Sequence, residues 1–213
     1  MKEQLTQALI AGNADLVNAL TQALLAAGTP AREILDDALL PGMEVVGARM
    51  RSGDCFIPEV LLSARTMQGA LDILKPHLGA GDSGGLGTVV IGTVEGDLHD
   101  IGKNLVGMLL QGAGFTVVNL GTGVTSQQFV AAVKEHGATI LGMSALLTTT
   151  LPRMAETIAA LQAAGLREQV KVLVGGAPVT KAFAESLGAD GYGANAGSAV
   201  DGAKALVAAA ATT

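Results

Sequence analysis

The chain has 213 residues, of which 49% are apolar and 15% charged, and its formal net charge is −6. This composition excludes a largely disordered chain, and the length permits one large domain or two small ones. The apolar runs are too short for a membrane span, and no basic cluster marks a nucleic-acid footprint. The single Cys55 excludes a disulfide framework and a Cys-rich metal site. The N-terminus lacks the apolar core of a signal peptide, so we expect a cytoplasmic protein.

The first 80 residues have apolar positions at helical spacing, which predicts four helices. Asn13 is expected to cap the second helix, and Pro30 and Pro58 to open the third and fourth. Pro41 and Gly42 should kink or interrupt the third helix. Four amphipathic helices in so short a stretch predict a four-helix bundle as the N-terminal domain, over residues 1–80.

A glycine-rich stretch at 81–87 predicts a linker to a second domain at 88–213. Beyond it, short, continuous runs rich in β-branched residues are typical of parallel strands buried on both faces. The five predicted strands are Val89–Val94, Phe115–Leu120, Thr139–Met143, Val170–Val174 and Gly188–Tyr192. Helical patterns between them predict an α/β domain with a flavodoxin-like, doubly wound parallel five-stranded sheet, which is Rossmann-like. A strand order 2-1-3-4-5 directs the search for a ligand site to loops 95–102 and 144–151.

These two loops carry no known nucleotide motif. Strand one is not followed by G-x-G-x-x-G, by a P-loop or by the Ser/Thr-rich phosphate loop of a flavodoxin. A phosphoacceptor receiver domain needs an aspartate at the end of strand three, where this chain has Met143-Ser144. Each of these nucleotide or phosphate sites is therefore excluded.

The loop after strand one instead presents Asp97-Leu98-His99. A histidine in this place can bind a metal through one ring nitrogen while Asp97 fixes the other. One imidazole leaves a free zinc or iron ion under-coordinated, but it suffices for a metal that brings its own equatorial ligands in a macrocycle. The residues alone leave a second interpretation open, in which His99 only caps the helix that begins near Asp100.

Three sequence elements, in a fixed order, resemble those of a known family. Asp97–Gly102 matches D-x-H-x-x-G, Ser144–Leu146 matches S-x-L, and Gly175-Gly176 matches the G-G that follows. The set resembles the cobalamin-binding signature of methionine synthase and of the corrinoid proteins of methyltransferase systems, and the second group is closer in length. The segment from Gly53 to Met67 is similar to the helical cap of these proteins.

The resemblance implies that the chain binds cobalamin or a related corrinoid, with His99 as the lower axial cobalt ligand. It implies a hydrogen bond between Asp97 and the distal imidazole nitrogen, extended by Thr150 where methionine synthases place a serine. Asp97, His99 and Thr150 are therefore the catalytic candidates. The cofactor-binding candidates are Gly96, Asp97, His99, Asp100, Ile101, Gly102, Ser144, Leu146, Thr148, Gly175, Gly176, Tyr192, Met50 and Ile57.

The resemblance also distributes these candidates around the corrinoid. Ser144 and Thr148 would line the slot for the displaced nucleotide tail, and the Gly175-Gly176 backbone would pass close to that tail. Tyr192 would lie near its far end. Met50 and Ile57, in the cap, would cover the upper face of the corrin. The stretch Gly79–Gly87 would be the hinge on which the cap moves aside.

The function implied is that of a methyl carrier. Such a protein accepts a methyl group on Co(I) from a substrate-specific methyltransferase and delivers it to a second methyltransferase, which serves tetrahydrofolate or a thiol. The chain itself would be a non-catalytic carrier subunit, with a reductive activase as a further partner. Two alternatives stay open, a cobalamin-dependent sensor and the small subunit of an adenosylcobalamin mutase. Methanol, methylamines, betaines and methoxylated aromatics all remain candidate methyl donors, and Cys55 is expected to be a core residue rather than a methyl acceptor.

Overall fold

In the computed structural model, which describes residues 1–77 and 86–210, the chain divides into two units. One unit is Met1–Gly85 with Gln111–Gly114, and the other is Leu86–Leu110 with Phe115–Thr213. Residues 79–85, which hold most of the predicted linker and hinge, lie outside the described residues. The domain boundary at 81–87 therefore stays a prediction.

The N-terminal unit is helical, as the apolar spacing predicts. Its helices are α1 (Lys2–Ile10), α2 (Ala14–Ala26), α3 (Ala31–Ile34), α4 (Leu40–Ser52) and α5 (Ile57–Leu74), followed by a 3-10 turn at Lys75–His77. Asn13 caps α2 by accepting a hydrogen bond from the Leu16 N–H at 3.1 Å. A π-helical turn at Leu35–Leu39 joins α3 to α4 without a break. The predicted interruption takes this form because Pro41 has no N–H to donate to the preceding turn.

Large apolar side chains from each helix form the core of this unit. Helix α1 packs against α2 and α4, and α2 packs along α5. Leu5, Leu9, Val17, Leu39 and Met67 are almost completely buried. Burying a side chain of this size contributes about 1.5–3 kcal/mol, so this apolar core is the main source of the unit's stability.

The second unit is a five-stranded, all-parallel sheet with the order β2-β1-β3-β4-β5, as predicted. Its strands are β1 (Thr88–Thr93), β2 (Thr116–Asn119), β3 (Ile140–Ser144), β4 (Lys171–Gly175) and β5 (Gly191–Gly193). Its helices are α6 (Ile101–Gly112), α7 (Ser126–His136), α8 (Pro152–Ala163), α9 (Lys181–Ser186) and α10 (Ala196–Ala210).

Burial separates the central strands of this sheet from its edge. Val90 and Leu141, on β1 and β3, belong to one apolar cluster with Phe129 of α7. The expectation that every strand is buried on both faces is wrong for β2, whose Thr116 and Asn119 are exposed. An edge strand has a neighbour on one side only, so polar residues at its ends reach water.

The register of the strands aligns their carboxyl ends. Thr93 of β1 pairs with Ser144 of β3, and Ser144 pairs with Gly175 of β4. The loops that leave β1, β3 and β4 therefore start side by side, at the edge where ligands of doubly wound sheets bind. Within the described residues, no helix has both the length and the apolar character that crossing a bilayer requires.

Candidate functional site at the carboxyl edge of the sheet

His99 lies on the loop between β1 and α6, and its side chain is 53% exposed. Its ring Nδ1 is 2.7 Å from Asp97 Oδ1. Because an ionised carboxylate can only accept, Nδ1 carries the hydrogen of this bond, and in the neutral ring the lone pair is therefore on Nε2. The ring is thus held by Asp97, which argues against the interpretation of His99 as a helix cap. A single nitrogen lone pair is left for a ligand.

Asp97 is fully buried and joins two loops through its carboxylate. Oδ1 accepts hydrogen bonds from the backbone N–H of His99 at 3.0 Å and from its ring Nδ1. Oδ2 accepts from the N–H groups of Leu146 at 2.7 Å and Leu147 at 3.0 Å, and lies 3.2 Å from the Thr150 hydroxyl. The carboxylate therefore ties the loop after β1 to the loop after β3.

This environment determines the charge of Asp97. Burial by itself raises the pKa of the carboxyl group, but the hydrogen bonds from the backbone of His99 and Leu146, the His99 ring and the Leu147 backbone outweigh it. The pKa of Asp97 consequently lies well below its ordinary value. At neutral pH the group is an anion, and the shared hydrogen resides on the imidazole.

Thr150 ends a short 3-10 turn, Thr148–Thr150, and is buried. Its hydroxyl lies 3.2 Å from Asp97 Oδ2 and 2.9 Å from the Leu147 carbonyl oxygen. One hydroxyl hydrogen serves one acceptor at a time, so this group can exchange between the two. Thr148, the first residue of the same turn, is exposed.

Exposed apolar side chains occur in both loops that Asp97 joins. Leu98 and Ile101, on either side of His99 in the chain, are 78% and 85% exposed, and Leu146 is 42% exposed. A Cβ atom at Gly102 would meet no atom within 4 Å, so open space lies above the first turn of α6. Exposed apolar side chains beside one imidazole form a surface that suits a flat, largely apolar ligand.

Two further predicted residues belong to this loop: Gly96 immediately precedes the D-x-H-x-x-G motif, and Asp100 lies within it. Gly96 has a left-handed backbone with φ of 81°, which favours glycine. Asp100 accepts a hydrogen bond from Asn104 Nδ2 at 3.0 Å, which ties it to α6. Both residues therefore shape the loop that presents His99.

The two glycines after β4 are required by the protein's own packing. A Cβ atom at Gly176, where φ is 125°, would lie 1.9 Å from the Ala145 carbonyl oxygen. A Cβ atom at Gly175 would lie 2.9 Å from the Gly193 carbonyl oxygen. The resemblance implies that these glycines let the backbone of the fourth strand pass close to a nucleotide tail, and this stays a prediction; independently of it, the protein's own backbone contacts require glycine at both positions.

The other predicted site residues lie in three places. Ser144, half-buried, ends β3, and Tyr192, also half-buried, packs from β5 against the apolar core of the sheet. Met50 and Ile57 belong to the helical unit, in the last turn of α4 and the first turn of α5. Phe56, which precedes Ile57, was not among the predicted site residues, and its side chain is 70% exposed.

Two supports of the His99 loop were also missed. Thr93, the buried last residue of β1, donates to the His99 carbonyl oxygen at 2.8 Å. The backbone N–H of Gly123, in the loop after β2, donates to the Asp97 carbonyl oxygen at 3.0 Å. The signal for Thr93 was a polar residue at the carboxyl end of the first strand, where the ligand edge begins. The contact of Gly123 depends on tertiary structure and has no sequence signal.

The donor set fits a corrinoid better than a free ion. Among residues 1–77 and 86–210, no group of three or more His, Cys, Asp or Glu side chains could hold a metal. Cys55 is half-buried in the helical unit, and burial raises the pKa of its thiol. One imidazole whose Nε2 has no hydrogen-bond partner among the described residues, on a loop with exposed apolar side chains, meets the needs of a metal that carries its own equatorial ligands.

Comparisons with known proteins point to the same kind of site. A family model described as B12 binding domain matches residues 87–209, and a second model with that description matches residues 1–75. A corrinoid protein of Desulfitobacterium hafniense is 41% identical over 202 residues, which cover 93% of this chain and 94% of that protein. Dimethylamine corrinoid protein 1 of Methanosarcina mazei is 43% identical over 206 residues, with 96% and 95% covered. Among solved structures, the methanol:cobalamin methyltransferase complex MtaBC of Methanosarcina barkeri contains a chain that matches with a TM-score of 0.87 and 35% identity, covering 96% of this chain and 78% of that one.

Proposed function

Because this chain belongs to the B12-binding corrinoid proteins of methyltransferase systems, we propose that it carries a methyl group between two methyltransferases, with His99 as the lower ligand of cobalt. The chemistry that a bound corrinoid supplies is reversible uptake of a methyl group on cobalt. The chain's own residues would hold and orient the corrinoid.

The observation that carries the proposal is the orientation of one imidazole. Asp97 holds Nδ1 of His99 at 2.7 Å, so Nε2 is the nitrogen of this exposed ring that can bind a ligand. A carboxylate behind a metal-ligating histidine fixes its tautomer and raises its basicity. Leu98 and Ile101 provide the apolar contact area that a corrin ring covers. These features together support axial ligation by His99.

The hydrogen-bonded group of Asp97, His99 and Thr150 is the candidate proton relay. The pKa of Asp97 is low, so the proton of the pair stays on imidazole Nδ1 rather than on the carboxylate. The Thr150 hydroxyl can turn from Asp97 toward the Leu147 carbonyl oxygen and thereby change the number of donors to the carboxylate. We assign to this relay the adjustment of imidazole basicity.

The remaining candidates surround the same ligand in this proposal. Ser144, Thr148 and Tyr192 would line the slot for the nucleotide tail, with Gly175 and Gly176 at its backbone wall. Met50 and Ile57 would cover the upper face as part of a cap, and Ile57 and its neighbour Phe56 are both exposed. Asp100 and Gly102 would border the corrin, because Gly102 faces open space.

The partners follow from the same proposal. One relative is named for dimethylamine, and one structural match is a chain from a methanol:cobalamin methyltransferase complex. We propose a substrate-specific methyltransferase as the methyl source, a tetrahydrofolate- or thiol-directed methyltransferase as the recipient, and a reductive activase. The two names point to different donors, so the donor is set by the partner enzyme.

Reconstitution with hydroxocobalamin tests the proposal. Wild-type protein should bind it and give the visible spectrum of histidine-ligated cobalt. His99→Gly should keep the fold, measured by circular dichroism, but lose that spectrum and bind more weakly. His136→Gly, at the end of α7, is the matched control and should behave as wild type.

Two outcomes contradict the proposal. An unchanged spectrum in His99→Gly removes His99 as the ligand. Selective binding of adenosylcobalamin, with no methyl uptake from methylated donors in the presence of a partner methyltransferase, favours the small subunit of a mutase.

A further inference from the structure

Thr93 makes a specific contact with the residue that presents the candidate ligand. It is the last residue of β1 and is completely buried. Its hydroxyl donates a hydrogen bond to the backbone carbonyl oxygen of His99 at 2.8 Å. A buried hydroxyl with one well-placed acceptor fixes that acceptor, since losing the bond leaves a buried polar group unpaired.

Thr93 is itself held from a third loop. Its N–H donates to the Gly121 carbonyl oxygen at 3.0 Å, and its carbonyl oxygen accepts from the Val124 N–H at 2.9 Å. Both partners lie in the loop between β2 and α7. The hydroxyl of Thr93 therefore projects from a backbone position that the sheet and this loop define together.

The contacts of Asp97 alone do not fix His99. The ring Nδ1 and the backbone N–H of His99 both donate to the same atom, Asp97 Oδ1. Two bonds that converge on one atom allow the residue to rock about it. The bond from Thr93 acts on the carbonyl of His99, at the other end of the same residue, and removes that freedom.

We infer that Thr93 is a positioning residue for the metal ligand: its hydroxyl fixes the backbone of His99, so that Nε2 keeps one direction. The inference rests on the proposed role of His99 as the cobalt ligand. It also gives a role to the loop after β2, in which Gly121 and Val124 hold the backbone of Thr93.

Four variants isolate the hydroxyl. Thr93→Val keeps the shape of the side chain and removes the donor, whereas Thr93→Ser keeps the donor. Thr93→Ala differs from Thr93→Ser by the hydroxyl alone, so this pair gives the same comparison if valine does not fold. Thr21→Val is the matched control, because Thr21 is equally buried but its hydroxyl has no hydrogen-bond partner within the described residues.

The first measurement needs no cofactor. Hydrogen exchange of the His99 amide in the apo protein should be about tenfold faster in Thr93→Val and Thr93→Ala, the change expected for loss of one ordinary hydrogen bond. Thr93→Ser and Thr21→Val should exchange as wild type. Equal exchange in the Ser and Ala variants overturns the inference.

The second measurement is a titration with hydroxocobalamin, continued to saturation. Thr93→Val should show a smaller histidine-ligated fraction in the visible spectrum and about tenfold weaker binding, and Thr93→Ser should restore both. A purely structural role would lower the unfolding free energy but leave the ligated fraction of the folded protein unchanged, and that result overturns the inference.

The two measurements separate failure of this inference from failure of the proposed function. Wild-type protein that binds no corrinoid defeats the proposed function. A wild-type spectrum with histidine ligation, together with either an unchanged ligated fraction or unchanged exchange in Thr93→Val, defeats only the role of Thr93.

Discussion

Two regions of this molecule bury polar side chains in opposite ways. At the carboxyl edge of the sheet, the carboxylate of Asp97 accepts hydrogen bonds from His99, Leu146, Leu147 and Thr150. In α2 and α5, the buried hydroxyls of Thr21 and Thr66 and the side-chain oxygen of Asn18 have no partner within the described residues.

The difference separates positional precision from simple packing. A fully paired carboxylate permits one arrangement of the loops around it, because any other arrangement leaves buried donors unsatisfied. An unpaired hydroxyl between two helices specifies no arrangement and reduces stability. The sheet edge is therefore the region in which geometry is controlled, and it is the region that holds His99.

The largest expected effect is that of Asp97→Ala. The change leaves the N–H groups of His99, Leu146 and Leu147 without their acceptor, so the apo protein should lose about 4 kcal/mol of unfolding free energy. Urea denaturation measures this loss. Thr66→Val, which removes a buried oxygen without a partner, is the control from the other region. Equal stability changes in the two variants would mean that the pairing at the edge has no special weight.

The two regions should also differ in how much stability is lost when a glycine is replaced by alanine. Gly176→Ala places a methyl group 1.9 Å from the Ala145 carbonyl oxygen on a left-handed backbone, so we expect a loss of about 3 kcal/mol. Gly69→Ala in α5 places its Cβ 3.1 Å from the side-chain oxygen of Asn18, which can turn away. Its cost should stay within about 1 kcal/mol, since alanine favours the helix. Thermal unfolding of both variants measures the contrast, and a tolerated Gly176→Ala contradicts it.

The contribution of the Asp97 carboxylate to the free energy of unfolding should depend on pH. The pKa of Asp97 is lowered in the folded state, so its contribution to stability is complete above the ordinary value of about 3.9 and is lost as the pH falls below it. The stability difference between wild type and Asp97→Asn should therefore narrow progressively as the pH falls below about 5. Denaturation series at several pH values test this. A difference that persists unchanged at low pH contradicts the assignment.

The smallest changes in stability are expected from replacing the unpartnered hydroxyls of α2 and α5. Thr21→Val and Thr66→Val each replace an unpartnered buried hydroxyl with a methyl group of the same shape. Each variant should gain about 0.5–1 kcal/mol of unfolding free energy and leave corrinoid binding unchanged. Calorimetry and the visible spectrum measure the two properties. Destabilisation by either variant would reveal a hydrogen bond that forms in solution.

Much of the site could be located from the sequence because its elements are local. The polar loop after β1 and the spacing of Asp97 and His99 fall within one short segment. Pairing of Asp97 with the backbone of Leu146 and Leu147 could not be anticipated, since it joins positions about 50 residues apart through groups that every residue has. The burial of β2 was overestimated because an apolar run does not indicate which strand lies at the edge.

Periodicity and turn residues in the sequence determined the order of helices and strands, the parallel sheet and the loop that holds the imidazole. The patterns that predict these features each lie within a short stretch of the chain. Only the tertiary structure decided which loops meet around Asp97 and that Thr93 holds the carbonyl of His99. It also decided that Gly175 and Gly176 are required by contacts within the sheet. Those outcomes depend on the register of parallel strands, which brings distant backbone groups to within hydrogen-bond distance of one another.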